Sequence, residues 1–272
     1  MYKTLLHPSK KNEQYTLDIP VIGLGVWQIP ADDNTEKAVK WALDAGYRHI
    51  DTAQIYNNEK QVGKAVKERD DVFITTKLWE DNFGYDNAIK ACEISLSKLN
   101  RIDLFLVHSP HHSELRKDTW DAMQYLLKNK YVGSIGVSNF GIHHIKELLD
   151  SAEIGPCINQ IEISPFLQRT ELVKFCESNS ISITAYSPLT HGRRINDKQL
   201  QTIAERYKKT ATQILIRWSI QQGNIVIPKS SNKGRIEQNF EIFDFTINLE
   251  DMALLNQLDQ GLITCWDPTV EP

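Results

Sequence analysis

Short runs rich in β-branched and apolar residues recur along the chain, separated by stretches whose apolar positions follow a helical period. The runs fall at 21–24, 49–51, 72–76, 104–107, 134–137, 158–161, 181–185 and 225–227. Between them, Tyr85, Ala88, Ile89, Cys92, Leu96 and Leu99 share one helical face, as do Trp120, Met123 and Leu127. Asp33-Asn34-Thr35-Glu36 has the form of a capping box opening a helix that carries Ala38, Val39 and Ala42. Eight strand–helix alternations with nearly continuous apolar strands predict an α/β fold whose parallel sheet is covered on both faces. That count favours closure into a (β/α)8 TIM barrel over an open doubly wound sheet. Segment 2–18, with a polar Ser9-Lys10-Lys11-Asn12 turn, predicts an N-terminal hairpin. The seventh connection, about 188–223, holds two helical patterns, at 197–207 and 210–222.

Composition narrows the possibilities further. No linker, low-complexity stretch or repeat other than the β/α alternation interrupts residues 1–272, so one barrel domain is expected, a size such barrels reach at about 250 residues. A net charge of −4 provides no basic footprint for nucleic acid. The four cysteines, Cys92, Cys157, Cys176 and Cys265, form no Cys-x-x-Cys pair and read as reduced thiols. The first residues lack a secretory apolar core, and no apolar run approaches the ~18 residues of a membrane span. A cytoplasmic protein with no membrane partner is expected.

The candidate chemistry lies where the runs end. Asp51 closes the second run, Tyr56 follows five residues later, Lys77 stands after the third and His108 after the fourth. Active sites of (β/α)8 barrels gather at the C-terminal ends of their strands, so these four would meet at one mouth. A phenol ionises only near ~10. An ammonium beside it, held by a carboxylate, makes the phenolate cheaper. Tyr56 would then protonate a carbonyl oxygen, with Lys77 lowering its pKa, Asp51 pairing Lys77, and His108 orienting the carbonyl or relaying the proton. Singly, each residue has a plainer reading: a capping aspartate, a surface lysine, a loop aromatic, a satisfied core histidine. Their joint placement favours the acid catalyst. Lys77 as a Schiff-base lysine is the rival chemistry, but a paired aspartate would keep it charged and that scheme leaves Tyr56 unused.

These four positions, with Tyr56-Asn57-Asn58-Glu59 and Val62-Gly63 around them, resemble the aldo-keto reductase family. The chain is similar to its short-loop, microbial-type members, of the diketogluconate reductase and prostaglandin F synthase-like kind. The resemblance implies a hairpin plugging the barrel floor and NADPH-dependent reduction of aldehydes or ketones to alcohols. It also implies a monomer acting on a small carbonyl substrate. No Gly-x-Gly-x-x-Gly follows a strand, so a Rossmann site is not indicated; Gly23-Leu24-Gly25 is only a fragment. By resemblance, Ser138, Asn139 and Gln160 hydrogen-bond the nicotinamide carboxamide and Tyr186 stacks on its ring. Gly25, Val26 and Asp51 lie along the same cofactor, and Ser187 and Leu189 meet the pyrophosphate. Lys229, Ser230 and Arg235 form an anion site for a 2′-phosphate, which favours NADPH/NADP+ over NAD. Gln238 and Asn239 lie by the adenine. Trp27 and Trp79, with Tyr56 and His108, would wall the substrate pocket.

The chain departs from the family at Gln238, usually Glu, at Val26, often Thr, and at Ser109, usually Trp. Short segments after His108 and after Leu258 predict an open pocket. A slow-turnover, cofactor-binding regulatory protein on the same scaffold is the rival from another class. No metal is expected: His108, His111 and His112 lie on a Pro-containing loop without carboxylate or thiolate partners. His143-His144 reads as surface.

Overall fold

The computed structural model describes residues 1–10 and 15–272. The chain opens with antiparallel strands β1 (Tyr2–Leu6) and β2 (Thr16–Pro20), paired Tyr2 to Pro20 through Leu6 to Thr16. The expected hairpin is there; part of its expected turn, Lys11 and Asn12, lies outside the described residues. Eight parallel strands follow: β3 (Leu24–Gly25), β4 (His49–Asp51), β5 (Phe73–Leu78), β6 (Leu104–Val107), β7 (Ser134–Ser138), β8 (Ile158–Glu162), β9 (Ser182–Tyr186) and β10 (Ile225–Val226). They are hydrogen-bonded in sequence order. Bridges from Ile22 to Val226 and from Gly25 to Lys229 then bring the last strand back to the first. The expected (β/α)8 barrel is the observed fold.

Helices cover the outside: α1 (Asp33–Ala45), α2 (Glu59–Ala65), α3 (Tyr85–Leu99), α4 (Ser113–Lys128), α5 (Ile142–Ser151), α6 (Thr170–Ser178), α7 (Lys198–Tyr207), α8 (Ala211–Gln221), α9 (Lys233–Phe240) and α10 (Leu249–Asn256). None of the helices among the described residues is long and apolar enough to cross a membrane. The cap of α1 stands one residue earlier than expected: Asp32 accepts from the Asn34 N–H, while Thr35 is buried and donates to Pro30 O. The buried face of α3 is also rotated. Ala88, Ala91, Cys92, Ser95 and Leu99 are buried, Ile89 and Leu96 only partly, and Tyr85 is exposed. Small residues let α3 approach α2 so closely that a Cβ on Gly63 would lie 1.9 Å from Lys98 O.

Two apolar clusters divide the interior. The larger joins the outer faces of the strands to the helices. The smaller fills the barrel floor, where Leu5 and Ile19 of the hairpin, both fully buried, meet Phe73, Leu104, Leu106, Cys157, Ile158 and Ile225. Each such aliphatic burial stabilises the fold by roughly 1.5–3 kcal/mol, which is what fastens the plug. His7 extends the seal, with Nδ1 2.7 Å from Gly155 O and Nε2 2.7 Å from Ser134 Oγ. The floor is closed by apolar packing, leaving the opposite end for chemistry.

Candidate active site

Asp51 is the last residue of β4, and Lys77 is next to last in β5. The register sets Asp51 opposite Thr75, so Lys77 reaches one side-chain step further up the barrel on the same face. His108 follows β6 directly, its N–H donating to Leu78 O. Tyr56 ends a 3-10 turn, Gln54–Tyr56, that leaves β4, and Asn57 reverses the chain in the left-handed region at φ 59°. All four expected groups therefore meet at the C-terminal mouth.

Within this cluster Lys77 is fully buried and directs its ammonium to three oxygens. Asp51 Oδ1 lies at 2.6 Å, Thr52 O at 2.8 Å and the Tyr56 hydroxyl at 3.5 Å. The Tyr56 and His108 rings stand edge to face at 5.8 Å, and Trp79 meets His108 at 5.1 Å. Burial, followed by the charge of Lys77, holds His108 well below the usual imidazole range, so the ring is neutral. Its Nδ1 is buried without a partner among the described residues.

The tyrosine differs from expectation. Burial first, then the charge of Asp51, pushes the Tyr56 phenol well above its ordinary value. Burial likewise lowers Lys77, opposed by Asp51. Placing an ammonium nearby thus does not outweigh removing the phenol from water, and Tyr56 stands as a protonated, loaded acid.

The words around the acid turn out to be its supports. Asn58, fully buried, accepts from Thr52 Oγ1 and donates to Val26 O and Ile29 O. Glu59 accepts from Thr76 Oγ1 and from Lys98 Nζ. Gln54 donates to Ala91 O and Ser95 Oγ and accepts from the Trp79 N–H. Their signal was present as polar residues flanking Tyr56, but the partners come from distant segments.

The expected cofactor residues form a second group, continuous with the first. Ser138 Oγ donates to Gln160 O, and Asn139 Nδ2 to His108 O and Ser138 Oγ. The Tyr186 hydroxyl donates to Asn139 Oδ1 at 2.8 Å. Gln160 Nε2 donates to Asp51 Oδ2 at 2.8 Å, a contact the sequence did not suggest. Asn139 and Ser187 take left-handed backbone, φ 65° and 47°, at the ends of β7 and β9, and such conformations in non-glycine residues gather at functional sites. Leu189 is half-buried beyond Ser187.

Lys229, Ser230 and Arg235 lie where β10 leads into α9. Lys229 and Arg235 are exposed, no ion pair holds either among the described residues, and the first turn of α9 carries no acidic residue. Burial, with Arg235 adding to it, lowers Lys229. Gln238 is exposed on α9 and Asn239 buried. Val26 and Gly25, the other two expected neighbours of the cofactor, lie where the barrel closes. Val26 is fully buried, with its N–H donating to Asp51 O and its carbonyl accepting from Asn58. Gly25 closes the barrel against the segment that follows β10, where a Cβ would meet Ile227 O at 2.9 Å.

Around the rim, Trp27 is 39% exposed, facing His191 at 5.7 Å, which leaves it free to wall a pocket. Ser109, at the family's tryptophan position, donates to Glu80, which His111 Nδ1 also approaches at 3.0 Å. The short tail is fastened rather than loose. Buried Glu162 accepts from the N–H groups of Thr264 and Cys265 and from Thr264 Oγ1, and Arg169 pairs with Asp267. Trp266 then packs on His111, ring to ring at 5.1 Å. His144 corrects the surface expectation for the pair at 143–144. It is fully buried, accepts from the Gly141 N–H and donates to Glu271 O, while His143 is exposed. All four cysteines are free, three of them buried.

The pattern described as the Aldo/keto reductase family matches residues 21–260. The chain belongs to the aldo/keto reductase family. This aldo/keto reductase is 43% identical over 259 residues to the 9,11-endoperoxide prostaglandin H2 reductase of Trypanosoma cruzi, covering 92% of this chain and 91% of the relative. It is 41% identical over 250 residues to the glyoxal reductase of Bacillus subtilis, covering 90% of each. Among solved structures, a Gox0644 mutant in complex with NADPH superposes with a TM-score of 0.92 at 37% identity, covering 100% of this chain and 99% of that one. Membership makes this protein an oxidoreductase of that family.

Proposed function

We propose that this protein reduces aldehydes and ketones to alcohols with NADPH, reversibly, with Tyr56 as the general acid. The observation that carries the reading is Lys77, fully buried between the Asp51 carboxylate and the Tyr56 hydroxyl at the mouth of the barrel. A buried ammonium so placed has one chemical use that also employs Tyr56.

When bound, the reduced nicotinamide supplies the hydride to the carbonyl carbon. Tyr56 gives its phenolic proton to the carbonyl oxygen as negative charge develops there. Lys77, 3.5 Å away, stabilises the resulting phenolate, and Asp51 keeps Lys77 charged. Neutral His108 has one N–H to offer the carbonyl oxygen, which orients it. Trp27 and Trp79 wall the apolar side. In the oxidative direction the Tyr56 phenolate is the base.

The residues present fit the cofactor. Gln160 Oε1 is an acceptor free of partners among the described residues, matched to a carboxamide NH2, and Lys229 with Arg235 is an uncompensated cation pair matched to a 2′-phosphate. Ser138 and Asn139 would frame the carboxamide, Tyr186 would stack on the ring, and Ser187 and Leu189 would meet the pyrophosphate. Ser230 would complete the phosphate site, with Gln238 and Asn239 beside the adenine. Asp51 and Gly25 would flank the same channel. Names of relatives such as glyoxal reductase support small dicarbonyls as one substrate class.

The test is loss of reduced-nicotinamide absorbance with purified protein, NADPH or NADH, and either a small dicarbonyl or an activated aromatic aldehyde. Turnover with NADPH that disappears in Tyr56→Phe is expected. Tight NADPH binding with no turnover across a broad carbonyl panel would overturn the reductase reading in favour of a regulatory one.

A further inference from the structure

One hydrogen bond joins the residues grouped around the carboxamide position to the acid group. Asp51 is 2% exposed and Gln160 3%. The carboxylate divides its oxygens: Oδ1 takes Lys77 at 2.6 Å, and Oδ2 takes Gln160 Nε2 at 2.8 Å. Only the nitrogen of an amide can face a carboxylate, so the orientation of Gln160 follows from chemistry alone. Its Oε1 must therefore point away from Asp51, and it accepts nothing among the described residues.

Its neighbours are already engaged. Both Asn139 Nδ2 hydrogens are committed, to His108 O and Ser138 Oγ, and Asn139 Oδ1 accepts from Tyr186. The Ser138 hydroxyl donates to Gln160 O. Flipping Asn139 would set its oxygen against the His108 carbonyl. Of the three amide and hydroxyl groups in this cluster, Gln160 alone offers an unengaged side-chain acceptor, on a side chain already holding the catalytic carboxylate.

We propose that Gln160 is a positioning residue: it bridges the nicotinamide carboxamide and the Asp51–Lys77 pair, so that seating the cofactor reinforces the acid at Tyr56. This deepens the proposed reductase function and rests on it. An amide that accepts from a carboxamide NH2 becomes a better donor through its own N–H, because successive hydrogen bonds polarise one another. The Asp51 anion is then better stabilised, Lys77 stays charged, and its remaining N–H is available to the Tyr56 oxygen. A protein without cofactor would carry a weaker acid.

The experiment pairs two variants with two cofactors. Gln160→Met removes the amide at similar volume; Gln160→Glu places an acid where only its protonated form can donate to Asp51. Fluorescence-quenching Kd values are measured for NADP+ and for its 3-acetylpyridine analogue, which lacks the carboxamide NH2. Single-turnover hydride-transfer rates are measured across pH. Wild type should bind the analogue about five- to tenfold less tightly, the worth of one hydrogen bond, and Gln160→Met should bind both alike.

In Gln160→Met the single-turnover rate at saturating cofactor should fall by about five- to tenfold, since the carboxylate that holds Lys77 has lost a hydrogen bond. In Gln160→Glu the rate should fall as pH rises, more steeply than in wild type, as the new side chain loses its proton and can no longer donate to Asp51. Should Gln160→Met fail to fold, the pH response of Gln160→Glu decides alone. A Gln160→Met enzyme with weaker NADP+ binding but a wild-type single-turnover rate at saturating cofactor would overturn the bridge and leave a plain cofactor contact. Wild-type rates at high pH in Gln160→Glu would overturn it equally. Wild-type protein that neither binds NADPH nor reduces a carbonyl would sink the reductase reading itself, before any variant is made.

Discussion

The Lys77 ammonium lies 2.6 Å from Asp51 Oδ1 with both side chains withdrawn from solvent. A pair so placed is costly to desolvate and costlier to split, because the survivor is an uncompensated buried charge. Lys77→Met alone should therefore destabilise the protein by roughly 3–5 kcal/mol in urea unfolding. Asp51→Leu with Lys77→Met should recover much of that loss, as neither charge then remains. A double variant no more stable than the single one would show that the pair itself holds the barrel mouth together.

Tyr56→Phe tests the other side of the ammonium. The hydroxyl is 3.5 Å from Lys77, at the limit of a hydrogen bond, so its removal should barely change the thermal midpoint. The chemical step should slow by about 10²–10⁴-fold, the usual worth of a positioned acid. Cofactor Kd should stay near the wild-type value. Activity retained in this variant would remove Tyr56 from the mechanism.

Lys229 and Arg235 bear on cofactor choice. Neither is held by a carboxylate among the described residues, and each lies by the first turn of α9, where the helix dipole disfavours a cation. Lys229→Gly should weaken NADPH by about 10–100-fold, the worth of one charge-assisted hydrogen bond, with little effect on NADH. Equal losses for both cofactors would refute a 2′-phosphate site.

The barrel floor should respond to acid. Burial lowers His7 from 6.5 to about 4 and His49 to about 3, so the fold holds both imidazoles neutral. Between those values and 6.5 the unfolded chain binds protons that the folded chain does not. Stability is thus complete above about 6.5 and falls with pH through that window. For His7 alone the loss should approach about 3 kcal/mol by pH 4. His7→Gln should flatten the stability–pH curve across that range. An unchanged slope in denaturant titrations from pH 7 to 4 would exclude His7 as the source.

The period of apolar positions settled most of the architecture in advance. All eight strand positions, the two helices of the seventh connection and the hairpin could be read from it, because a helix buries one face that repeats at its own pitch, while a barrel strand, buried on both faces, shows as a short continuous apolar run. The four groups at Asp51, Tyr56, Lys77 and His108 were legible for a related reason. A parallel barrel delivers every strand end to the same mouth, so placement at a strand end is already placement in space.

Partnership between distant segments was beyond the pattern. His144 reads as half of an exposed pair, yet both rings meet Glu271 O of the docked tail, and His144, packed also on Phe140, is buried while His143 stays exposed. The short tail after Leu258 predicts only an open pocket; that Glu162 fastens it and that Trp266 packs on His111 follow from contacts between distant segments. The direction of the Tyr56 shift was also hidden, because desolvation depends on everything packed around a group, whereas the nearby charges of Lys77 and Asp51 could be named from the chain. Local periodicity follows from covalent geometry and so is written in order along the sequence. Burial and hydrogen-bond partnership, such as that of Gln160 with Asp51, exist only after the barrel closes.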